Sequence, residues 1–136
     1  MAVELEDRLE RAARADGRYP PDAYLFLCRG LELAARKRFG NRRKPGRHVT
    51  GQELAEALRI LAIQQWGPLA REVLRRWNIH RTRDFGEMVY VLIEEEMFGK
   101  QASDDISDFD DVYEFQTAFA GYRVELQPAG EEETGA

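Results

Sequence analysis

Residues 50–66 read TGQELAEALRILAIQQW. Thr50 and Glu53 stand three apart, the spacing at which a threonine hydroxyl and a glutamate carboxylate each satisfy a backbone N–H of an opening helical turn. Leu54, Leu58, Leu61 and Ala62 then recur at steps of three and four, flanked by Ala57 and Ile60, so one face of this helix is apolar. Gly67-Pro68 interrupts it, and Pro68 is placed to open the next helix. The middle of the chain is therefore helical, and both flanks continue the same period.

Toward the N-terminus, Val3, Leu5, Leu9 and Ala13 give a thin apolar stripe over residues 3–15, a helix that stops at Asp16-Gly17. Pro20-Pro21-Asp22 suits a helix start, and Tyr24, Leu27, Cys28, Leu31, Ala35 and Phe39 carry the second helix to Gly40-Asn41. Toward the C-terminus, Leu69, Ala70, Val73, Leu74 and Trp77 are expected to face inward on a short fourth helix. Arg71, Arg75 and Arg76 then face water, and Asn78 is a left-handed stop. Thr82 or Asp84 is expected to cap a fifth helix carrying Phe85, Met88, Val89, Leu92 and Ile93.

Beyond Gly99 the pattern is mixed. Asp104 to Asp108 reads as a loop, and 111–115 alternates like a strand. Val112, Phe115, Phe119 and Tyr122 also fit helical spacing, so a short strand followed by a helical turn is expected. The predicted fold is mainly α: five helices in a single domain over 1–126, a small C-terminal β-hairpin if 97–101 pairs with 111–115, and a flexible acidic tail at 127–136. A short helix, a polar turn, a longer apolar helix and a hairpin would be winged-helix-like, and a plain helical bundle is the alternative.

Size and composition fit this. A chain of 136 residues, 43% of them hydrophobic, can bury a core without disulfide or metal staples and is not globally disordered. No apolar run reaches the roughly 20 residues that span a bilayer. The acidic start at Glu4, Glu6 and Asp7 lacks the basic opening of a signal peptide, which points to the cytoplasm. The lone Cys28 lies on an apolar helix face and reads as structural.

Charge is strongly polarised. Arg36 to Arg83 holds thirteen Lys or Arg against three Glu, a local balance of +10. From Asp84 onward fifteen acids stand against two bases, a balance of −13, and the whole chain is −5. The run Arg36, Lys37, Arg38, Arg42, Arg43, Lys44, Arg47 and His48, extended by Arg75, Arg76, His80, Arg81 and Arg83, forms a basic face (36–48 and 71–83). Such a face suits phosphates or an acidic protein, and pairing with the chain's own acidic end is the competing reading. The acidic segment, with Asp108, Asp110, Asp111, Tyr113 and Phe115, could instead dock on a basic partner. A non-catalytic interaction module is therefore expected, with an adaptor using the acidic aromatic segment as the alternative.

A small enzyme is the further alternative, should His48, Glu53, His80, Asp84 and Glu87 converge. Their spacing does not demand it, and the chain has no phosphate-binding glycine loop or nucleophile elbow. Asp104, Asp105, Asp108, Asp110 and Asp111 lack the glycine and glutamate of an EF-hand loop. Two histidines and one cysteine do not make a common zinc site, so neither a metal nor a cofactor is expected.

The runs Arg47–Leu54 (RHVTGQEL), Gln65–Ala70 (QWGPLA) and Trp77–Glu87 (WNIHRTRDFGE) together resemble a bacterial family of conserved hypothetical proteins. Asp16-Gly17-Arg18-Tyr19, Tyr113-Glu114-Phe115 and Ala118-Phe119 fit it too, although Glu114 stands where aspartate is usual. The likeness spans most of residues 5–122. It implies a real domain and carries no activity, substrate or catalytic residue. Gly86, in the opening turn of the fifth helix, costs about 1 kcal/mol against alanine, which implies close packing or backbone approach to a partner there.

Overall fold

The structure, a computed structural model, describes residues 2–40, 49–98 and 105–119. Thr50 and Glu53 cap the third helix as their spacing predicts. The Glu53 N–H donates to Thr50 Oγ1 at 3.0 Å, and the Thr50 N–H donates to Glu53 Oε1 at 2.8 Å. Helix α3 then runs Gly51–Trp66. Before it come α1, Ala2–Asp16, and α2, Pro21–Phe39, with Pro20 as N-cap and Pro21 at the first helical position. After it come α4, Ala70–Arg76, α5, Thr82–Glu94, and a four-residue turn of helix, α6, Phe115–Ala118.

The protein is mainly helical, and no strand occurs among the described residues. Of the expected hairpin, residues 99–101 lie outside them, as do the basic residues 41–48 and the tail 127–136. Residues 105–119 form a strap: a 3-10 turn over Ile106–Phe109, an extended link, then α6.

Helix α2 packs along α3 and against α1, while α5 touches all three. Leu9, Tyr24, Leu27, Leu58, Leu74, Phe85, Met88 and Leu92 are fully buried, and they belong to one continuous cluster that also takes in Phe109, Phe115 and Phe119 from the strap. Near the α3–α4 corner, Phe26, Trp66 and Trp77 pack ring on ring, the two indoles edge to face at 5.4 Å. Among the described residues, no helix is long and apolar enough to cross a membrane.

Two expectations are corrected. Leu69 is 62% exposed instead of facing inward, because Pro68 starts a 3-10 turn, Gly67–Leu69, and three residues per turn put Leu69 out of phase with the α4 face that follows. Leu5 is 43% exposed, and Leu9, Ala12 and Ala13 make the buried face of α1. Asn78 does hold the left-handed conformation expected of it, at φ +67°.

Gly86 is needed for close packing. A Cβ on it would lie 2.7 Å from Phe109 Cδ2 and 2.9 Å from its Cγ, and one on Gly51 would lie 3.1 Å from Phe109 Cε2 and 3.0 Å from Asp108 Cβ. Helix propensity alone favours alanine at position 86 by about 1 kcal/mol. Overpacking against a buried ring opposes it, and Gly86→Ala is expected to destabilise the fold by about 1–3 kcal/mol, read as a lower urea midpoint by far-UV circular dichroism.

Glu53 makes stability pH-dependent. Partial burial pushes its pKa up, but the Thr50 N–H and the Arg38 guanidinium outweigh this and hold the carboxyl below the usual carboxylate range. A depressed folded-state pKa contributes stability above the unfolded value, about 4.3, that is lost as pH falls through the folded one. Glu53→Gln is therefore expected to melt below wild type at pH 7, with the gap closing as the melts are repeated at increasingly acid pH.

Candidate functional site

The turn between α4 and α5 is built from backbone groups that its own side chains satisfy. Asn78 Nδ2 donates to the Arg18 carbonyl at 3.2 Å, which leaves its Oδ1 to accept from His80 Nε2 at 3.0 Å. The histidine thus braces the turn, as a single loop histidine commonly does. Asp84 Oδ2 accepts the N–H groups of His80 at 2.7 Å and Arg81 at 3.2 Å, while its Oδ1 accepts the Tyr19 hydroxyl at 2.8 Å. Burial first, and this bond second, push the Tyr19 phenol above its usual range. Asp84 is therefore the residue that caps α5.

Thr82 does not cap the helix. It is 1% exposed, and its hydroxyl donates to the Phe109 carbonyl at 2.5 Å and accepts the Val112 N–H at 3.2 Å. One hydroxyl thus clasps both ends of a bend in the strap. The Phe109 ring fills the notch left by the missing side chains of Gly51 and Gly86. Tyr113 Oη donates to the Ala55 carbonyl on α3 at 2.6 Å, and burial pushes its phenol above the usual range. Phe115 is buried, its ring packed with those of Phe85, Tyr113 and Phe119.

Where strap and turn meet, a cleft of about 650 Å3 opens. Arg71, His80, Arg81 and Arg83 from α4 and the turn into α5 line it together with Asp110, Asp111, Tyr113, Glu114 and Phe115 from the strap. Parts of the basic face and of the acidic segment, two separate candidates in the sequence, thus meet in one feature, while Arg75, Arg76 and Asp108 do not line it. Arg83 joins them, its Nη1 lying 2.8 and 3.0 Å from the Asp110 carboxylate oxygens. It also reaches Glu87 at 3.5 Å, and Glu87 in turn pairs with Arg18 at 3.1 Å and through it with Asp16. The Asp110 pair raises the Arg83 pKa above its usual value.

The other described cations differ in their partners. Arg38 pairs with Glu53 at 2.6 Å, and Arg75 and Arg76 share Glu72. Exposed pairs of this kind contribute about 0–1 kcal/mol each. Arg36 and Lys37 are exposed in the last turn of α2, where positive charge complements the helix dipole. Arg71 and Arg81 have no side-chain ion pair or hydrogen bond among the described residues, and both are exposed. Arg42, Arg43, Lys44, Arg47 and His48 lie outside the described residues.

Of the five side chains that would have to converge for catalysis, His48 lies outside the described residues, and of the other four His80 alone lines the cleft. Glu53, Asp84 and Glu87 are held in the cap, latch and ion pairs given above. Asp108 lies against Gly51, apart from the cleft. Among the described residues no three His, Cys, Asp or Glu side chains gather as a metal site. Burial pushes the Cys28 thiol up to about 11, so it is not a ready thiolate.

Sequence reasoning missed Phe109 entirely and read Thr82 only as a cap. The available signal was an aromatic set between Asp108 and Asp110, downstream of two helix-opening glycines whose presence propensity does not explain. Because one hydroxyl serves both Phe109 and Val112, Thr82→Val leaves a buried carbonyl and N–H unpaired and is expected to cost about 1–3 kcal/mol in denaturant unfolding. Thr82→Ser, which keeps the hydroxyl, recovers most of it. No protein family, curated protein or solved structure matches the chain, so the functional reading rests on these side chains.

Proposed function

We propose that the protein is a cytoplasmic, non-catalytic interaction module whose cleft at the start of α5 takes an acidic segment of a partner protein. The observation that carries this is the pair Arg71 and Arg81: two guanidinium groups from different elements, open to one cleft and without a partner among the described residues. Guanidinium forks match carboxylates in a planar, two-pronged geometry. The half-buried Tyr113 beside them supplies apolar surface for the rest of such a segment.

A protein partner is favoured over nucleic acid by the mixed lining of the cleft. Asp110, Asp111 and Glu114 share it with the arginines and oppose a continuous chain of phosphates, whereas a protein segment can set one or two carboxylates at Arg71 and Arg81 and turn neutral or donor groups to the acids. A helix-turn-helix reading would also need the first turn of α5 free for a groove, and Ile106 and Phe109 cover that turn at Gly86. A second reading is favoured by Arg36 and Lys37, exposed where α2 leads into the basic run through Arg47. That stretch would hold nucleic-acid phosphates.

Fluorescence anisotropy at three salt concentrations separates the two, using a labelled Asp- and Glu-rich peptide, duplex DNA and structured RNA. The double variant Arg71→Glu/Arg81→Glu is expected to bind the peptide at least about tenfold more weakly, roughly 1.4 kcal/mol. Charge reversal at Arg42, Arg43, Lys44 and Arg47 leaves peptide binding unchanged. Steeply salt-dependent DNA or RNA binding that this second set of changes abolishes would establish the nucleic-acid reading in its place.

A further inference from the structure

The strap meets the helices as a short linear ligand meets a receptor. Its turn organises itself: the Asp105 side chain accepts the Ser107 N–H at 2.9 Å, and backbone bonds run from Asp108 to Asp105 and from Asp110 to Ser107. That compact turn presents one ring, Phe109, with Asp108 and Asp110 on either side. The receptor groups come from the opening turns of two helices: the Gly51 and Gly86 notch, the Thr82 hydroxyl and the Arg83 guanidinium. One aromatic anchor in a pocket, main-chain hydrogen bonds and a rim ion pair are the parts from which peptide recognition is assembled.

Two of the three guanidinium groups on this cleft are left without an ion pair by the strap's acids among the described residues. Asp110 pairs with Arg83, whereas Arg71 and Arg81, on the same cleft, have no described partner. A segment carrying the same anchored ring and further carboxylates on its flank would satisfy them as well.

We infer that the notch between Gly51 and Gly86 is a docking site for an acid-flanked phenylalanine of a partner protein, occupied in the partner's absence by the chain's own Asp105–Asp111. The inference rests on the acidic protein partner proposed above and adds the residue by which that partner is anchored. A tethered occupant competes at an effective concentration on the order of millimolar, so the partner segment binds the resting protein weakly and binds tightly once the strap is loosened.

The probe is a fluorescein-labelled peptide with the sequence of residues 105–113, titrated into the full chain. A matched peptide has alanine in place of the phenylalanine. Phe109→Ala in the protein empties the notch and is expected to tighten binding of the first peptide at least tenfold over wild type, while the alanine peptide gains nothing. Asp110→Lys, which loosens the strap and leaves the notch intact, gives the same ordering and serves if circular dichroism finds Phe109→Ala unfolded.

Equal binding of the two peptides overturns the inference, and so does equal binding by wild type and the loosened variants. A loosened variant that runs as a dimer in sedimentation overturns the partner assignment in favour of a second copy. Failure of the wider reading has its own mark: insensitivity of acidic-peptide binding to Arg71→Glu/Arg81→Glu, whatever the phenylalanine does.

Discussion

The ring of Phe109 occupies the place of two side chains that the sequence withholds. With a Cβ at Gly51 or Gly86 the ring would meet carbon at 2.7–3.1 Å, and close-packed interiors do not absorb that without moving backbone. The opening turns of α3 and α5 therefore both leave room for this one ring. The Thr82 clasp and the Arg83–Asp110 pair tie the strap to α5, and the Tyr113–Ala55 bond ties it to α3. The cleft exists because the strap is held there, its lining drawn from α4, the turn into α5 and the strap itself.

The ion pairs around this junction orient more than they stabilise. The chain Asp16, Arg18, Glu87, Arg83, Asp110 links the α1–α2 loop to the strap through exposed or half-exposed groups, where solvent screens most of the attraction. Removing water from apolar surface supplies the larger share. Phe85, Met88, Leu92, Phe109, Phe115 and Phe119 are each buried, at roughly 1.5–3 kcal/mol per large side chain before entropy is charged.

What could be read in advance was local. The Thr50–Glu53 cap, the proline start of α2 and the left-handed Asn78 each depend on neighbours within four residues, and each is present. Gly86 was legible as a residue needing a reason, although the reason lies 23 positions away. The strap was not legible, because a run of aspartates around single aromatics has the composition of a solvated loop, and its order comes from groups on α3 and α5. Leu69 misled for a different reason: it sits in a 3-10 turn, out of phase with the α4 face that begins at Ala70, and hydrophobic period does not register that turn. The basic face divides likewise. Arg38, Arg75 and Arg76 pair with glutamates up to fifteen residues away, whereas Arg71 and Arg81, on the cleft, have no such partner among the described residues, a distinction invisible to a charge count.

The edge-to-face indoles at the α3–α4 corner have an optical consequence. Trp66 and Trp77 are the chain's two tryptophans and sit 5.4 Å apart with planes at 85°, close enough to exchange excitation and to emit as a single site. Intrinsic emission therefore reports the seam where Phe26 meets α3 and α4. The strap, whose chromophores are Tyr113 and phenylalanines, could detach with the tryptophan spectrum unchanged, and its motion becomes visible only to a label placed on the strap itself.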